Sequence, residues 1–124
     1  MSKTILIVVD SGTMLLAVRM ILEGAGYKVE MAADGVKALA ILNGGIKPDL
    51  IITDVNMPNM GGMELIKQVR SLPGFRFTPI LALTTESQAE RRTEAKQLGA
   101  TGWLVKPVAS ADLLKVIKQV VPGA

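Results

Sequence analysis

The sequence contains no cysteine and no histidine. The first absence removes disulfides, thiol nucleophiles and thiolate metal sites together. The second means that any imidazole in the chemistry must come from another molecule. Aromatics are scarce at 3% of residues, with one tryptophan and one tyrosine. The basic excess is small and scattered, fourteen Lys and Arg against eleven acids. Without an aromatic-studded basic stripe, nucleic-acid binding is not expected. Long hydrophobic runs are also missing. The longest near the N-terminus spans 4–9 and stops at Asp10, which is too short for a signal peptide or a membrane span. The expectation is a cytoplasmic protein that engages neither membrane nor nucleic acid.

What is present suits one domain over residues 1–124, with 49% apolar and 20% charged residues and enough chain to bury a core. There is no internal repeat. Short apolar runs at 5–9, 29–32, 50–53, 80–83 and 103–105 are rich in Ile, Val and Leu. Such runs predict strands buried on both faces, as in a parallel sheet. Between them lie segments with helical spacing. Met14, Val18, Ile21 and Leu22 form one apolar face; Val36, Leu39, Ala40 and Leu42 a second; Leu65, Ile66, Val69 and Leu72 a third; Leu113, Val116, Ile117 and Val120 a fifth. The fourth segment, 88–98, offers only Ala89, Ala95 and Leu98 to a core.

Punctuation fits these segments. Ser87 and Glu90 have capping-box spacing, and Asp34 and Ser110 are placed to cap helices. Gly26, Gly44 and Gly99 fall where helices should end. Strict βα alternation with short connections predicts an α/β fold, a doubly wound five-stranded parallel sheet with five helices. In such sheets chemistry collects at the carboxyl ends of the strands.

The residues closing the strands are therefore the informative ones. Asp10 follows the first run, Asp54 the third and Thr84 the fourth, and Lys106-Pro107 follows the fifth. Each alone reads as a turn or loop residue, but together they bring two acids, a hydroxyl and a cation to one edge. Neighbouring carboxylates repel unless a cation lies between them, and hard oxygen ligands suit Mg²⁺. With the pair neutralised, Asp54 can attack phosphorus to give an aspartyl phosphate. Lys106 and the Thr84 hydroxyl would then meet the charge on the transferring group.

At these residues the chain resembles the bacterial response-regulator receivers. Asp-Val-Asn-Met-Pro-Asn-Met at 54–60, Leu-Thr-Thr-Glu-Ser at 83–87 and Lys106-Pro107 carry the resemblance. It is nearest to the stand-alone chemotaxis regulators of the CheY type. The resemblance implies a flavodoxin-like sheet of order 2-1-3-4-5. It implies that Asp54 is the phosphoacceptor, that Asp10 and Asp54 hold Mg²⁺ with the Asn56 carbonyl, and that Lys106 pairs first with Asp54 and then with phosphate. Thr84 becomes the switch hydroxyl and Trp103 the switch aromatic, and the Lys106–Pro107 bond is cis. The implied function is two-component signalling by a monomer, with no enzymatic turnover beyond its own phosphorylation and dephosphorylation. The implied partners are a sensor histidine kinase as donor and a downstream protein, such as a flagellar motor switch protein. That target would dock on a face carrying Arg91, Arg92, Lys96, Trp103 and Lys115.

Three positions depart from the family pattern. Val9 stands where a second acid usually follows the first strand, Gly61 replaces an acid, and Val108 replaces a frequent aromatic. Val9 removes the group that typically holds a metal-bound water, which motivates a competing expectation of a degenerate receiver working without phosphorylation. A haloacid-dehalogenase-type phosphatase also uses Asp, Thr or Ser, Lys and Mg²⁺. It needs a second acid two residues after the nucleophile, where this chain has Asn56. A flavin-binding flavodoxin shares the topology, but no phosphate-cradling loop supports it.

Overall fold

The computed structural model describes residues 3–85, 89–121 and 123. The five apolar runs form β1 (Thr4–Val8), β2 (Lys28–Ala32), β3 (Leu50–Asp54), β4 (Ile80–Thr84) and β5 (Gly102–Val105). All pairings are parallel, in the order β2-β1-β3-β4-β5. The connections are α1 (Gly12–Gly24), α2 (Gly35–Asn43), α3 (Gly62–Ser71), α4 (Ala89–Gln97) and α5 (Ser110–Val120). This is the doubly wound, flavodoxin-like α/β architecture.

Because successive strand residues face opposite ways, each central strand feeds two cores. On one side Leu6, Val8, Ile51, Ile80 and Ala82 meet Ala38 and Leu42 of α2, Leu65, Ile66 and Val69 of α3, and Ala95 of α4. On the other side Ile5, Ile7, Ile52, Leu81 and Leu83 meet Val18 and Leu22 of α1 and Leu113 and Ile117 of α5. Burying each such aliphatic side chain stabilises the fold by about 1.5–3 kcal/mol. Burial on both faces holds for β1, β3 and β4. It fails for β2 and β5, where Lys28, Met31 and Trp103 are exposed. Those strands lie at the edges of the sheet, where the helical layers cover them incompletely.

The helices differ from expectation in small ways. On α2 the inward face is Gly35, Ala38 and Leu42. Val36 and Ala40 point to solvent, because a helix starting at Gly35 buries the stripe three and seven residues on. Asp34 caps α2, but α5 begins at Ser110 with Ala109 as its N-cap and no side-chain cap bond. The helices do end at the expected glycines, with Gly44 the C-cap of α2, and positive φ is taken by Gly26, Gly45 and Gly99. Ser87, and with it the expected capping box, lies outside the described residues, as does the side chain of Ala89. No helix among the described residues is long and apolar enough to cross a membrane.

On α4, Ala95 is fully buried and Leu98 beyond it packs partly against the core, while Glu90, Arg91, Thr93, Glu94, Lys96 and Gln97 face water. A polar anchor from α3 compensates. Arg70 donates from Nε and Nη2 to the Gly99 carbonyl (3.0 and 2.7 Å), and from Nη1 to the carbonyls of Phe75 (2.8 Å) and Thr78 (2.7 Å). Partial burial pushes its pKa down, yet a guanidinium remains charged in proteins. One side chain thus ties α3 to the end of α4 and to the approach to β4. We expect Arg70→Met to lose about 2–3 kcal/mol, because the carbonyls it served are left unsatisfied. A urea midpoint equal to that of the parent protein would contradict this.

Candidate functional site

The carboxyl edge of the sheet gathers the strand-closing residues through the register alone. Asp54 is paired with Leu83, and Thr84 with Val105, so Asp54, Thr84 and Lys106 lie one step apart on three adjacent strands. Asp54 is buried, with only 5% of its surface exposed. Its Oδ1 accepts from the Val55 N–H (2.8 Å), and its Oδ2 accepts from Lys106 Nζ (2.8 Å). The Lys106 backbone N–H donates to the Thr84 carbonyl (2.7 Å), which carries the β5 extension past its last strand residue. The Lys106–Pro107 peptide is cis.

Thr84 is fully buried, and its Oγ1 has no hydrogen-bond partner among the described residues. Leaving a buried hydroxyl unpaired costs about 1–3 kcal/mol, so this atom is poised for an acceptor. Thr53, one residue before Asp54, satisfies its hydroxyl locally by donating to the Asp54 carbonyl (2.9 Å).

Asp10 lies in the connection from β1 to α1 and is exposed. Val8 pairs with Thr53, so the register places Asp10 at the same edge as Asp54. Asn56 is exposed in the loop after β3. Asp10, Asp54 and the Asn56 carbonyl would together make an all-oxygen set. Among the described residues no third acid, histidine or cysteine joins them. That set fits Mg²⁺, which keeps several waters and uses one or two carboxylates. Val9 is 1% exposed and packs with Val18, Leu22, Ile52 and Leu83. Trp103 is set apart from the acids on β5, 39% exposed, and the Arg92 guanidinium lies over its ring.

Asp34 has a second role that its expectation as a helix cap did not include. Oδ1 caps α2 by accepting from the Lys37 N–H (2.9 Å), while Oδ2 accepts from Asn59 Nδ2 (2.8 Å). Asn59 is the one non-glycine residue with positive φ among the described residues (65°), a conformation asparagine tolerates. The Gly35 N–H donates to the Met60 carbonyl (3.1 Å). The loop carrying Asn56 is therefore clipped to the start of α2. On its other side, a Cβ at Gly62 would collide with the Asp54 carbonyl, so α3 starts directly against the strand end. Gly61 is the N-cap of α3 and offers no side-chain bond. An asparagine between a proline and a glycine pair is a turn pattern that could have marked this loop in the sequence.

Comparison with known proteins places this geometry. The family model of the response regulator receiver domain matches residues 5–118. Chemotaxis protein CheY-3 of Vibrio cholerae is 37% identical over 117 residues, covering 94% of this chain and 89% of that protein. The solved structure of the chemotaxis response regulator CheY4 of Vibrio cholerae superposes with a TM-score of 0.90 at 47% identity, covering 98% of this chain and 100% of that one. The receiver domain of a sensor histidine kinase from Pseudomonas aeruginosa PAO1 has a TM-score of 0.88 at 27% identity, covering 97% and 98% of the two chains. It carries magnesium coordinated in its active-site cleft.

The clip generates a pH dependence. The Lys37 N–H, followed by the Asn59 amide, holds the Asp34 carboxyl below its ordinary value of 3.8. A depressed carboxyl contributes stability above its unfolded pKa and loses it as pH falls through the folded value. We expect Asp34→Asn to flatten the fall in stability below about pH 4. Parallel acid-unfolding curves for the two proteins would show that Asp34 has no part in it.

Proposed function

The chain belongs to the response-regulator receiver family, and we propose that within it the chain is a phosphorylation-switched signalling domain in which Asp54 accepts a phosphoryl group. One observation carries this reading: a buried carboxylate ion-paired to Lys106 at 2.8 Å, beside a buried Thr84 hydroxyl with no partner among the described residues.

The donor is a phosphohistidine on a sensor kinase, as membership of the receiver family suggests; this chain has no imidazole of its own. An Asp54 carboxylate oxygen attacks phosphorus, the bond from phosphorus to the donor's nitrogen breaks, and the imidazole leaves with the electron pair. Asp10, Asp54 and the Asn56 backbone carbonyl would hold Mg²⁺, which when bound neutralises negative charge as the group transfers. Lys106 moves its charge from the carboxylate to a phosphoryl oxygen. The Thr84 hydroxyl donates to another, because a dianion is a strong acceptor. Thr84 and Trp103 share one face of the sheet on adjacent strands, since Ala82 pairs with Trp103 and Thr84 with Val105. Displacement of Thr84 toward phosphate therefore opens space toward which the Trp103 ring can turn.

The domain catalyses only its own phosphorylation and dephosphorylation. It acts as a cytoplasmic monomer, a single receiver over residues 1–124. Its output is a docking surface on α4, β5 and α5 for a downstream protein such as a flagellar motor switch protein. A second reading has a specific basis. Val9, buried among aliphatic side chains, supplies no carboxylate for a metal-bound water, so the domain would bind partners without phosphorylation.

The two readings separate by experiment. With a small phosphodonor and Mg²⁺, mass spectrometry should find one phosphoryl group, and Asp54→Asn should abolish its uptake while the fold persists. Phosphate recovered on Asp10 would overturn the assignment of nucleophile, and an unmodified wild-type protein would favour the second reading. Val9→Asp should tighten Mg²⁺ roughly 10-fold, as restored outer-shell groups do, at some cost in stability from a carboxyl placed among apolar neighbours. An identical metal titration for both proteins would leave Val9 as a core residue alone.

A further inference from the structure

The indole of Trp103 has a specific companion on α4. The guanidinium carbon of Arg92 lies 5.8 Å from its ring centroid, within the range in which a cation is attracted to an aromatic face. Among the described residues no carboxylate lies within ion-pair distance of Arg92, whereas the neighbouring Arg91 is paired with Glu94 at 3.3 Å. Beside Trp103 on β4 stands only the methyl group of the buried Ala82, so the edge of the sheet offers the ring little to pack on. The ring is 39% exposed, and the group lying over it comes from the helix with the fewest core-facing side chains among the described residues.

We propose that Arg92 is a positioning residue for the switch: its cation–π contact latches Trp103 in the outward rotamer and so sets how much of the unphosphorylated protein occupies the inward, signalling state. The latch itself concerns only the resting protein. Its meaning for signalling rests on the function proposed above. At a partly exposed site such a contact biases a two-state equilibrium by about two- to fivefold. That bias is small enough to be overcome when the Thr84 hydroxyl finds its acceptor. It is large enough to lower output in the absence of phosphate by up to the same factor. The contact also couples two elements, since a ring that turns inward from β5 must leave the guanidinium that α4 places over it.

The test uses the full chain and the sole tryptophan, with acrylamide as a quencher because its neutrality makes it blind to the loss of a positive charge. In the unmodified protein, Arg92→Gln should reduce quenching of Trp103, since the released ring turns inward. The beryllofluoride concentration, with Mg²⁺, that gives half of the emission change should fall about two- to fivefold. Arg92→Lys should lie between the two proteins, and Arg91→Gln, which removes the same charge without touching the ring, should match the parent. Unchanged quenching in Arg92→Gln would overturn the latch. So would increased quenching, because a ring that stays outward becomes more accessible once uncovered. Reduced quenching with no emission response to beryllofluoride in any variant would uphold the latch while removing the phosphorylation reading. A normal beryllofluoride response with unchanged quenching would do the reverse.

Discussion

Burial of β1, β3 and β4 on both faces is the constraint from which the site follows. A strand with helices above and below has no room along its length for a group that needs water or a counter-ion. Polar side chains without a local partner of the kind Thr53 finds are therefore displaced to the strand ends. In this chain the displaced residues are Asp54 and Thr84, the last residues of β3 and β4. Parallel pairing then aligns those ends at one edge. The buried carboxylate needs a partner, and Lys106 reaches it from just beyond β5. Breaking such a pair from either side leaves an uncompensated charge in a poorly solvated place. The ion pair is thus the consequence of a sheet too apolar to hold a carboxylate anywhere but at a strand end.

The same constraint explains what was legible in the sequence. Doubly buried strands produce continuous runs of Ile, Leu and Val, and these located β1, β3 and β4 to within a residue. The strand-end positions of Asp54 and Thr84 were readable by the same means, because a polar residue terminating such a run has few other places to be. Edge strands carry a weaker pattern. β2 mixes Lys28, Glu30 and Met31 with Val29, and its exposure was not evident from a run that looks half apolar. On α2 the sequence pattern could not separate Ala38 from Ala40, since alanine fits an exposed and a buried position equally well.

What the sequence did not reveal were long-range polar contacts. The four hydrogen bonds of Arg70 reach Gly99, Phe75 and Thr78, and the Asp34–Asn59 bond joins residues 25 apart. Neither has a periodicity or a local spacing. A lone arginine on a helix reads as a solvated side chain, and a lone aspartate before a helix reads as its cap. In both cases the local reading is incomplete because the second partner comes from another element. The strand-end pattern picked out Asp10 as an acid at this edge, but the resemblance to receivers was needed to assign roles to Asn56 and Trp103, which no pattern in the chain would have given. Those roles belong to the proposed function.

The two sides of the Asp54 pocket differ in stiffness. On one side α3 begins so close to the strand end that Gly62 has no space for a methyl group, and the loop before it is fastened to α2 through Asp34. On the other side stands α4, held at its far end through Gly99 by Arg70 and largely polar along its length. The two flanks therefore resist displacement unequally: the α3 side is fixed by backbone packing at Gly62 and by the Asp34–Asn59 bond, whereas α4 relies on Ala95, Leu98 and the Arg70 tether.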